Sequence, residues 1–327
     1  MPLIESISGI RGTVGGSSTD GITPENIVKN ISAYAEWLKK NCKKKKAIVV
    51  IGRDARISGP ILQPLIENTL RCMGVDVINI GLATTPSVEI AVTDFKADGG
   101  IILTASHNPR QWNALKLLNS KGEFLSSDNV AQILKLAKKS EFVYSEIDNI
   151  GKLKTIENFE KSHIAKILKL KAVDVKAIKK ANFTVAVDCV NSVGAICIPQ
   201  LLKALGVKKV IELYCNPTGE FPHNPEPLPE NLTEISKLVK KSKANVGFVV
   251  DPDVDRLAVI SEDGTSFGEE YTLVAVADYI LSLKKGNTVS NLSSSRALRD
   301  VTTKWGGKYS ASAVGEVNDV EKMKEVK

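Results

Sequence analysis

Short apolar runs alternate with longer stretches of helical spacing in the first half of the chain, and each apolar run ends in a polar turn. Strands are predicted at residues 47–51, 75–80 and 101–103, and a helix is predicted near 59–73. Strands that alternate with helices indicate a mainly parallel sheet covered by helices. We therefore expect an α/β protein made of consecutive domains with mixed, mainly parallel sheets.

The same pattern restarts after a lysine-rich stretch at about residues 143–182. Strands are predicted at 183–187, 209–214 and 246–250, and helices near 196–205 and from 231. A further unit has strands at 257–260 and near 288–292, and helices near 270–283 and from 295. Because 327 residues exceed one ordinary core, we divide the chain into domain I (1–155), domain II (156–256) and a partial domain III (257–327).

The composition is that of a globular protein, with 43% hydrophobic residues. No apolar run approaches the ~20 residues that span a bilayer, and the N-terminus lacks the basic and apolar regions of a signal peptide. We therefore expect a cytoplasmic protein with no membrane partner. The five cysteines show no C-x-x-C spacing, so neither a disulfide framework nor a zinc site is indicated.

The net charge of +7 comes almost entirely from scattered lysines. The one run, at residues 43–46, is short and has no interleaved aromatic residues, so it favours a solvated loop over a nucleic-acid patch. Arginine is more informative, because its planar fork suits phosphate and most arginines fall in motif-like loops. The arginines in such loops are Arg11, Arg53, Arg56, Arg110 and Arg256. This placement favours an anionic substrate.

Residues 101–116 place a hydroxyl nucleophile, Ser106, on a loop just after an apolar strand. Such a loop can present side chains to a ligand without breaking the sheet. An isolated serine there could equally cap the turn made by Asn108 and Pro109. A serine-hydrolase pair of Ser106 and His107 is not favoured, because adjacent residues on an extended loop point apart and no G-x-S-x-G elbow surrounds them.

A second polar loop supplies Asp251, Asp253 and Asp255 at every second position, again directly after an apolar strand. Hard carboxylate oxygens at this spacing suit Mg²⁺. With Glu262 the spacing also fits an EF-hand, but Arg256 stands where the sharp turn needs glycine, and strands flank the loop instead of helices. A solvated acidic turn is the remaining alternative. A serine and a carboxylate cluster at two strand ends are the parts of a metal-assisted phosphoryl-transfer site.

The two loops together resemble the active site of the α-D-phosphohexomutases, the family of phosphoglucomutase, phosphomannomutase and phosphoglucosamine mutase. Residues 104–109 (Thr-Ala-Ser-His-Asn-Pro) and 113–116 match the family's serine loop, with Ala114 where glycine is more frequent, and 251–256 match its metal loop. The resemblance implies the phosphohexomutase fold. It also implies that Ser106 carries the transferable phosphoryl group and that one Mg²⁺ is held by a phosphate oxygen on Ser106 and by Asp251, Asp253 and Asp255.

The resemblance extends to further site residues. Residues 8–12 (Ser-Gly-Ile-Arg-Gly) match the family's N-terminal loop and imply that Arg11 contacts substrate. Lys116 matches the lysine near the transferring proton, and Arg11 or His107 is expected to assist it. The implied substrate-binding residues are Arg256, Arg11, Asn113 and Glu316.

Three other stretches also resemble the family. Residues 314–318 resemble the third-domain loop that approaches the sugar, although Asp319 departs from the more usual apolar residue. Residues 52–59 match a shared stretch that we interpret as a strand-to-helix turn tied by an Arg–Asp pair. Residues 221–231 match a stretch that leads to the metal loop and is expected to shape a domain interface.

The implied reaction interconverts hexose 1-phosphate and hexose 6-phosphate, with glucose or mannose as the sugar, through phosphoserine and a 1,6-bisphosphate. Hexose 1,6-bisphosphate would be the activator, and the protein a monomer or homodimer. The family pattern then expects a GExSG-like sugar loop and a fourth domain. Neither is found here, so we expect a chain truncated in domain III. The alternatives are a phosphoglucosamine mutase and an inactive fragment that binds only metal or phosphosugar.

Overall fold

A computed structural model describes residues 3–6, 9–17 and 20–326, and its strands form three sheets. Ser8, the first residue of the N-terminal loop singled out above, lies outside the described residues. The first sheet contains the strand that leads to Ser106, and the second contains the strand that leads to Asp251.

The first sheet has seven strands in the order β1-β2-β6-β5-β3-β4-β7. Its strands are β1 (Ile4–Ser6), β2 (Gly9–Thr13), β3 (Ile48–Arg53), β4 (Asp76–Leu82), β5 (Gly99–Leu103), β6 (Trp112–Leu118) and β7 (Leu153–Thr155). Its helices are α1 (Pro24–Asn41), α2 (Gly59–Cys72), α3 (Thr85–Asp94) and α4 (Ser127–Lys139). Strands β5, β3, β4 and β7 run parallel to one another, whereas the β1–β2, β2–β6 and β6–β5 pairs are antiparallel.

Helices cover the first sheet on both faces, which explains why β5 is buried along its whole length. Ile51 and Leu103 join the core beneath α1 and α2, while Val50 and Ile102 join the core beneath α3. Side chains of successive strand residues point to opposite faces. The apolar side chains of β5 therefore contribute to two cores, one on each face of the sheet. The polar side chains begin in the loop that follows this strand.

The second sheet has four strands in the order β11-β10-β8-β9. Its strands are β8 (Thr184–Asp188), β9 (Lys209–Leu213), β10 (Val246–Val250) and β11 (Leu257–Ser261), and the nearby helices are α5 (Glu160–Ile167), α6 (Val175–Ala181), α7 (Gly194–Leu205) and α8 (Thr233–Ser242). Strand β11 pairs antiparallel with β10, because residues 251–256 turn the chain back on itself. The residues expected to open domain III thus lie in the second sheet. The domain boundaries themselves stay a prediction.

The last part of the chain forms a two-stranded parallel sheet and three helices. These elements are α9 (Glu269–Leu283), β12 (Thr288–Asn291), α10 (Ala297–Lys304), β13 (Tyr309–Ser312) and α11 (Glu316–Glu325). Across the described residues, no helix is long and apolar enough to cross a bilayer. The expected class, consecutive α/β domains with mixed sheets, is confirmed.

Candidate active site

Ser106 stands at the carboxyl end of β5 in a left-handed backbone conformation, with φ of 48°. A non-glycine residue pays a conformational cost there, so surrounding contacts must hold it. Its backbone N–H donates to Thr104 Oγ1 at 2.9 Å, and its Oγ donates to Asp251 Oδ2 at 2.7 Å. Since Ser106 is only 8% exposed, its hydroxyl has a fixed direction, towards the second sheet.

The aspartate loop brings its three carboxylates together at the end of β10. One oxygen from each of Asp251, Asp253 and Asp255 lies within 4.8 Å of the others. Asp251 Oδ1 accepts the backbone N–H groups of Asp255 and Arg256, both at 3.1 Å, which closes the loop around this carboxylate. Val254 adopts φ of 62°, a strained conformation for a β-branched residue. The turn therefore directs alternate side chains to one point.

The carboxylate set fits a hard cation such as Mg²⁺. Asp251 and Asp253 are fully buried, and Asp253 Oδ1 has no hydrogen-bond partner among the described residues. A buried carboxylate oxygen without a partner is costly, and bound metal is one of the few groups that can satisfy it. Hard oxygen donors at close mutual range are the ligands that Mg²⁺ prefers.

Lys116, on β6, places its ammonium group between two of these carboxylates. Nζ lies 2.7 Å from Asp253 Oδ2 and 2.9 Å from Asp255 Oδ2. Burial alone would lower the pKa of Lys116, but the two carboxylates outweigh it and hold this pKa above its ordinary value. Lys116 is therefore a cation in the resting site.

The buried aspartates respond to this environment in opposite ways. Burial, and then the charges of Asp253 and Asp255, raise the pKa of Asp251 well above its usual range. Burial also acts to raise the pKa of Asp253, but Lys116 and the Thr85 hydroxyl outweigh it and lower that pKa to about 2. Asp253 is thus the carboxylate that stays ionised, and Asp251 is the carboxylate that accepts the hydrogen bond of the Ser106 hydroxyl.

Thr85, the first residue of α3, contacts the aspartate loop and was missed by sequence reasoning. Its Oγ1 donates to Asp253 Oδ2 at 2.6 Å, and its N–H donates to the Asp253 carbonyl at 2.8 Å. A threonine followed by proline at a helix start signals only a cap. No local pattern could have revealed a contact with a loop 168 residues away.

A cavity of about 740 Å³ opens above Ser106 and is shared by all three parts of the chain. The predicted site residues that line it are Arg11, Ser106, His107, Lys116, Asp255, Arg256 and Glu316. Thr85, Glu89, Asn291 and Asp319 also line it and were not predicted as site residues. The volume is in the range of small-molecule pockets, and the polar lining suits a charged ligand.

Arg11 reaches the cavity because β2 lies close against β6. Gly9 has φ of 114°, and a Cβ at this position would lie 2.7 Å from the Leu115 carbonyl oxygen. Only glycine allows this approach. Arg11 pairs in register with Ala114, which also lines the cavity. The glycine-arginine spacing noted in the sequence thus has a direct structural reason.

Asn113 does not take the expected position in the cavity. Ala114 and Lys116 alternate along β6 towards the cavity, so Asn113 points to the opposite face of the strand. Its side chain is fully buried, its Nδ2 donates to Ser58 Oγ at 2.8 Å, and its Oδ1 accepts the Ala114 N–H. The assignment of Asn113 as a substrate-binding residue is therefore corrected, and its side chain instead braces the serine loop.

His107 and Arg256 flank the mouth of the cavity through a shared carboxylate. Arg256 Nη1 lies 3.0 Å from Glu226 Oε1, and His107 Nε2 lies 3.9 Å from the same oxygen. His107 Nδ1 is 3.3 Å from Ser106 Oγ. Burial, and then the charge of Arg256, lower the pKa of His107, so the ring is neutral near pH 7. A neutral imidazole beside the hydroxyl can accept a proton.

Glu89, which is half-buried, and Glu316, which is exposed, place two acids on the far wall of the cavity. Burial, and then the charge of Glu316, raise the pKa of Glu89 to about 8. Burial, and then the charge of Asp255, raise the pKa of Glu316. Acids with perturbed pKa values in a cleft are typical of functional sites. Glu316 was predicted here, whereas Glu89 sits mid-helix with no sequence signal.

Consecutive α/β/α domains around one polar cleft define the structural class of the chain, and comparison with known proteins defines its family. Models of phosphoglucomutase/phosphomannomutase alpha/beta/alpha domains I, II and III match residues 4–144, 161–264 and 268–327. The chain therefore belongs to the phosphoglucomutase/phosphomannomutase family, which confirms the resemblance.

Individual relatives carry two kinds of name. A phosphoglucomutase/phosphomannomutase from Thermococcus kodakarensis is 36% identical over 94% of this chain and 67% of its own length. A probable phosphoglucosamine mutase from Pyrococcus horikoshii is 33% identical over 97% of this chain and 66% of its own length. The crystal structure of a family protein from Burkholderia thailandensis aligns with a TM-score of 0.85 and 26% identity, over 99% of this chain and 69% of that one. The chain thus spans about two thirds of the length of these relatives.

Proposed function

We propose that this chain is a phosphohexomutase that interconverts hexose 1-phosphate and hexose 6-phosphate, with glucose or mannose as the sugar. The observation that carries the proposal is the 2.7 Å contact between Ser106 Oγ and Asp251 Oδ2 beneath a cavity lined by Lys116 and Arg256. A hydroxyl nucleophile, a cation-binding carboxylate set and cationic side chains are the parts that phosphoryl transfer needs.

In the proposed reaction, Ser106 carries the phosphoryl group and donates it to the free hydroxyl of the sugar phosphate. The resulting 1,6-bisphosphate reorients, and the other phosphoryl group returns to Ser106. Mg²⁺ held by Asp251, Asp253 and Asp255 would neutralise charge on the transferring group when bound. Hexose 1,6-bisphosphate would load Ser106 at the start.

Lys116 and His107 act on the charge of the phosphoryl group and on the protons that the reaction moves. Lys116 is a cation, because its pKa is raised, so it neutralises charge beside the phosphoryl group. It would also relay the proton of the sugar hydroxyl, by giving one ammonium proton to the departing Ser106 oxygen and taking the hydroxyl proton in its place. His107 is neutral and lies 3.3 Å from Ser106 Oγ, so it can accept the serine proton when the hydroxyl attacks. Arg11 and Arg256 both line the cavity, and their guanidinium groups can bind the phosphate groups of the substrate.

In the proposal, each of the three expected domains supplies a different part of the site. Domain I (1–155) would supply Ser106 and Lys116, domain II (156–256) the aspartates and Arg256, and domain III (257–327) Glu316 for the sugar. The enzyme would work in the cytoplasm as a monomer or homodimer.

The test is a mutase assay with Mg²⁺ and a hexose 1,6-bisphosphate primer, in which glucose, mannose and glucosamine 1-phosphates are offered in parallel. Glucosamine is included because the Pyrococcus relative is named a probable phosphoglucosamine mutase. Mass spectrometry of the intact protein and of the Ser106 peptide follows phosphorylation separately. Turnover of glucose or mannose 1-phosphate supports the proposal. If no sugar turns over and Ser106 takes up no phosphoryl group from the primer, the proposal is wrong.

A further inference from the structure

The side chain of Arg56 uses all five of its N–H donors on the serine loop and its support. Arg56 is 1% exposed and lies in the turn between β3 and α2. Its acceptors are Asp54 Oδ2 (3.0 Å) and the carbonyl oxygens of Ser106 (2.6 Å), Asn108 (2.6 Å), Pro109 (2.8 Å) and Trp112 (3.1 Å). Guanidinium has five donors in a rigid fork, so this environment leaves none of them unbonded.

The strained backbone of Ser106 is anchored on both sides by this network. On one side, Arg56 holds the Ser106 carbonyl. On the other, Thr104 Oγ1 accepts the Ser106 N–H at 2.9 Å and donates to Asp54 Oδ2 at 2.7 Å. Asp54 Oδ2 therefore joins the two anchors. A residue at φ of 48° relaxes unless its neighbours fix it, and here both of its peptide groups are fixed.

The same turn connects the serine loop to the aspartate loop. The Phe221 ring, from the loop after β9, lies 5.0 Å from the Arg56 guanidinium carbon. The Ala55 N–H donates to Ser192 Oγ at 3.3 Å, and that hydroxyl donates to the Pro252 carbonyl at 2.7 Å. The turn at Arg56 is thus bonded directly to the serine loop and, through the Ser192 hydroxyl, to the aspartate loop.

We propose that Arg56 is a positioning residue for phosphoryl transfer, which acts through the serine-loop carbonyls to keep Ser106 Oγ aimed at Asp251. The inference rests on the proposed function for its kinetic consequence, but not for its structural one. Arg56 is absent from the cavity wall, so it does not touch the substrate. Its loss should therefore lower kcat and leave KM nearly unchanged, because misplacement of a reacting atom by about 1 Å can cost about 100-fold in rate.

Arg56→Lys tests the proposal, and Arg53→Lys is the matched control. Lysine keeps the charge but has three donors on one nitrogen, so it cannot bridge four carbonyls and a carboxylate. Arg53 ends strand β3 just before this turn, and among the described residues its side chain donates only to Gln63 and the Asp54 carbonyl. We expect R56K to lose about 100-fold in kcat with KM within about twofold, and R53K to stay within about threefold of wild type. An R56K kcat near the wild-type value, or equal losses in both variants, would overturn the proposal.

Amide hydrogen exchange of the peptide covering residues 104–112 supplies a readout that needs no turnover. We expect faster exchange in R56K than in R53K in this peptide alone, with the peptide of β3 unchanged. Equal exchange would overturn the positioning role even if the wild-type chain proved inactive on every hexose phosphate. If R56K does not fold, Phe221→Leu decides: loss of the ring frees one face of Arg56 and should accelerate exchange in the same peptide, and an unchanged rate would contradict the proposal.

Discussion

Thr85 Oγ1 lies 2.6 Å from Asp253 Oδ2 and thereby joins the start of helix α3, which packs on the first sheet, to the aspartate loop of the second. The carboxylate that receives this hydrogen bond is fully buried and also bonds Lys116. Both donors come from the part of the chain that carries Ser106. The position of the Asp253 carboxylate is therefore set by two side chains, Thr85 and Lys116, that belong to the other part of the chain.

Thr85→Val should destabilise the protein and weaken cation binding together. The substitution keeps the shape of the side chain but removes a hydrogen bond to a buried charge, which costs about 1.5–3 kcal/mol. Outer contacts that orient a ligand also affect metal affinity, by about tenfold or more. Urea denaturation without metal and calorimetric titration with Mn²⁺ measure the two effects.

Thr93→Val is the control for this prediction. Thr93 lies in the same helix, is exposed, and bonds only to the Ile90 carbonyl. Its substitution should change neither the urea midpoint nor the Mn²⁺ affinity appreciably. If the Thr85 and Thr93 variants behave alike, the contact with Asp253 has no energetic importance.

Lys116→Met should cost about 3 kcal/mol of stability in the absence of metal, because it leaves buried carboxylates without their cation. The loss should be partly reversed by Mg²⁺, since a bound ion neutralises the same charges, and Mg²⁺ should stabilise the variant more than it stabilises wild type. Urea denaturation with EDTA and with Mg²⁺ gives the comparison. Lys121→Met, on an exposed turn after β6, is the control. Similar curves for the two variants would refute the role of Lys116.

Ser106→Ala should abolish phosphoryl uptake from hexose 1,6-bisphosphate and reduce turnover to background. The reason is that no other hydroxyl donates to a carboxylate of the aspartate loop from within the serine loop. Intact-protein mass spectrometry after incubation with the primer measures uptake. Ser120→Ala, an exposed serine beyond β6, should retain full uptake. Undiminished turnover by the Ser106 variant would contradict the proposed mechanism.

The sequence was sufficient to predict the two loops, because each is a local pattern. An apolar strand followed by a polar loop identifies a strand end, and the strand ends that carry Ser106 and Asp251 meet at one cleft. The fold class follows from the same alternation. Lys116 and Arg256, which the family resemblance implied as site residues, line the same cavity, and their roles stay a prediction.

What sequence reasoning missed depends on contacts between distant segments. Thr85 carries only the ordinary signal of a helix start, and its partner lies in another loop. An Arg–Asp pair in the turn of Arg56 was expected, but the bonds of Arg56 to the serine-loop carbonyls were not. Asn113 was misplaced because a loop was assumed where strand β6 already begins, and strand alternation turns this side chain away from the cavity. Strand β11 was expected to open a third unit, and its antiparallel pairing with β10 was not predicted, because pairing is not visible in a single strand.

Glu89 should make the stability of the metal-free protein fall as pH rises from about 5 to 8. Its pKa in the folded protein is about 8, above its ordinary value of 4.5, so the folded state binds a proton that the unfolded state releases. That contribution is fully present below the ordinary pKa and is lost as pH rises through the folded one, by at most about 1.4 kcal/mol per pH unit. Glu89→Gln cannot ionise and should show a flatter dependence.

Urea denaturation at pH 5, 6, 7 and 8 in EDTA tests this prediction by the difference between wild type and Glu89→Gln. His107 and His163 have lowered pKa values and act in the opposite direction, but they are present in both proteins and cancel in the difference. Glu157→Gln, an exposed acid, should follow wild type. Parallel curves for wild type and the Glu89 variant would mean that Glu89 is already ionised at pH 5, and that the cavity wall holds two negative charges with no proton between them.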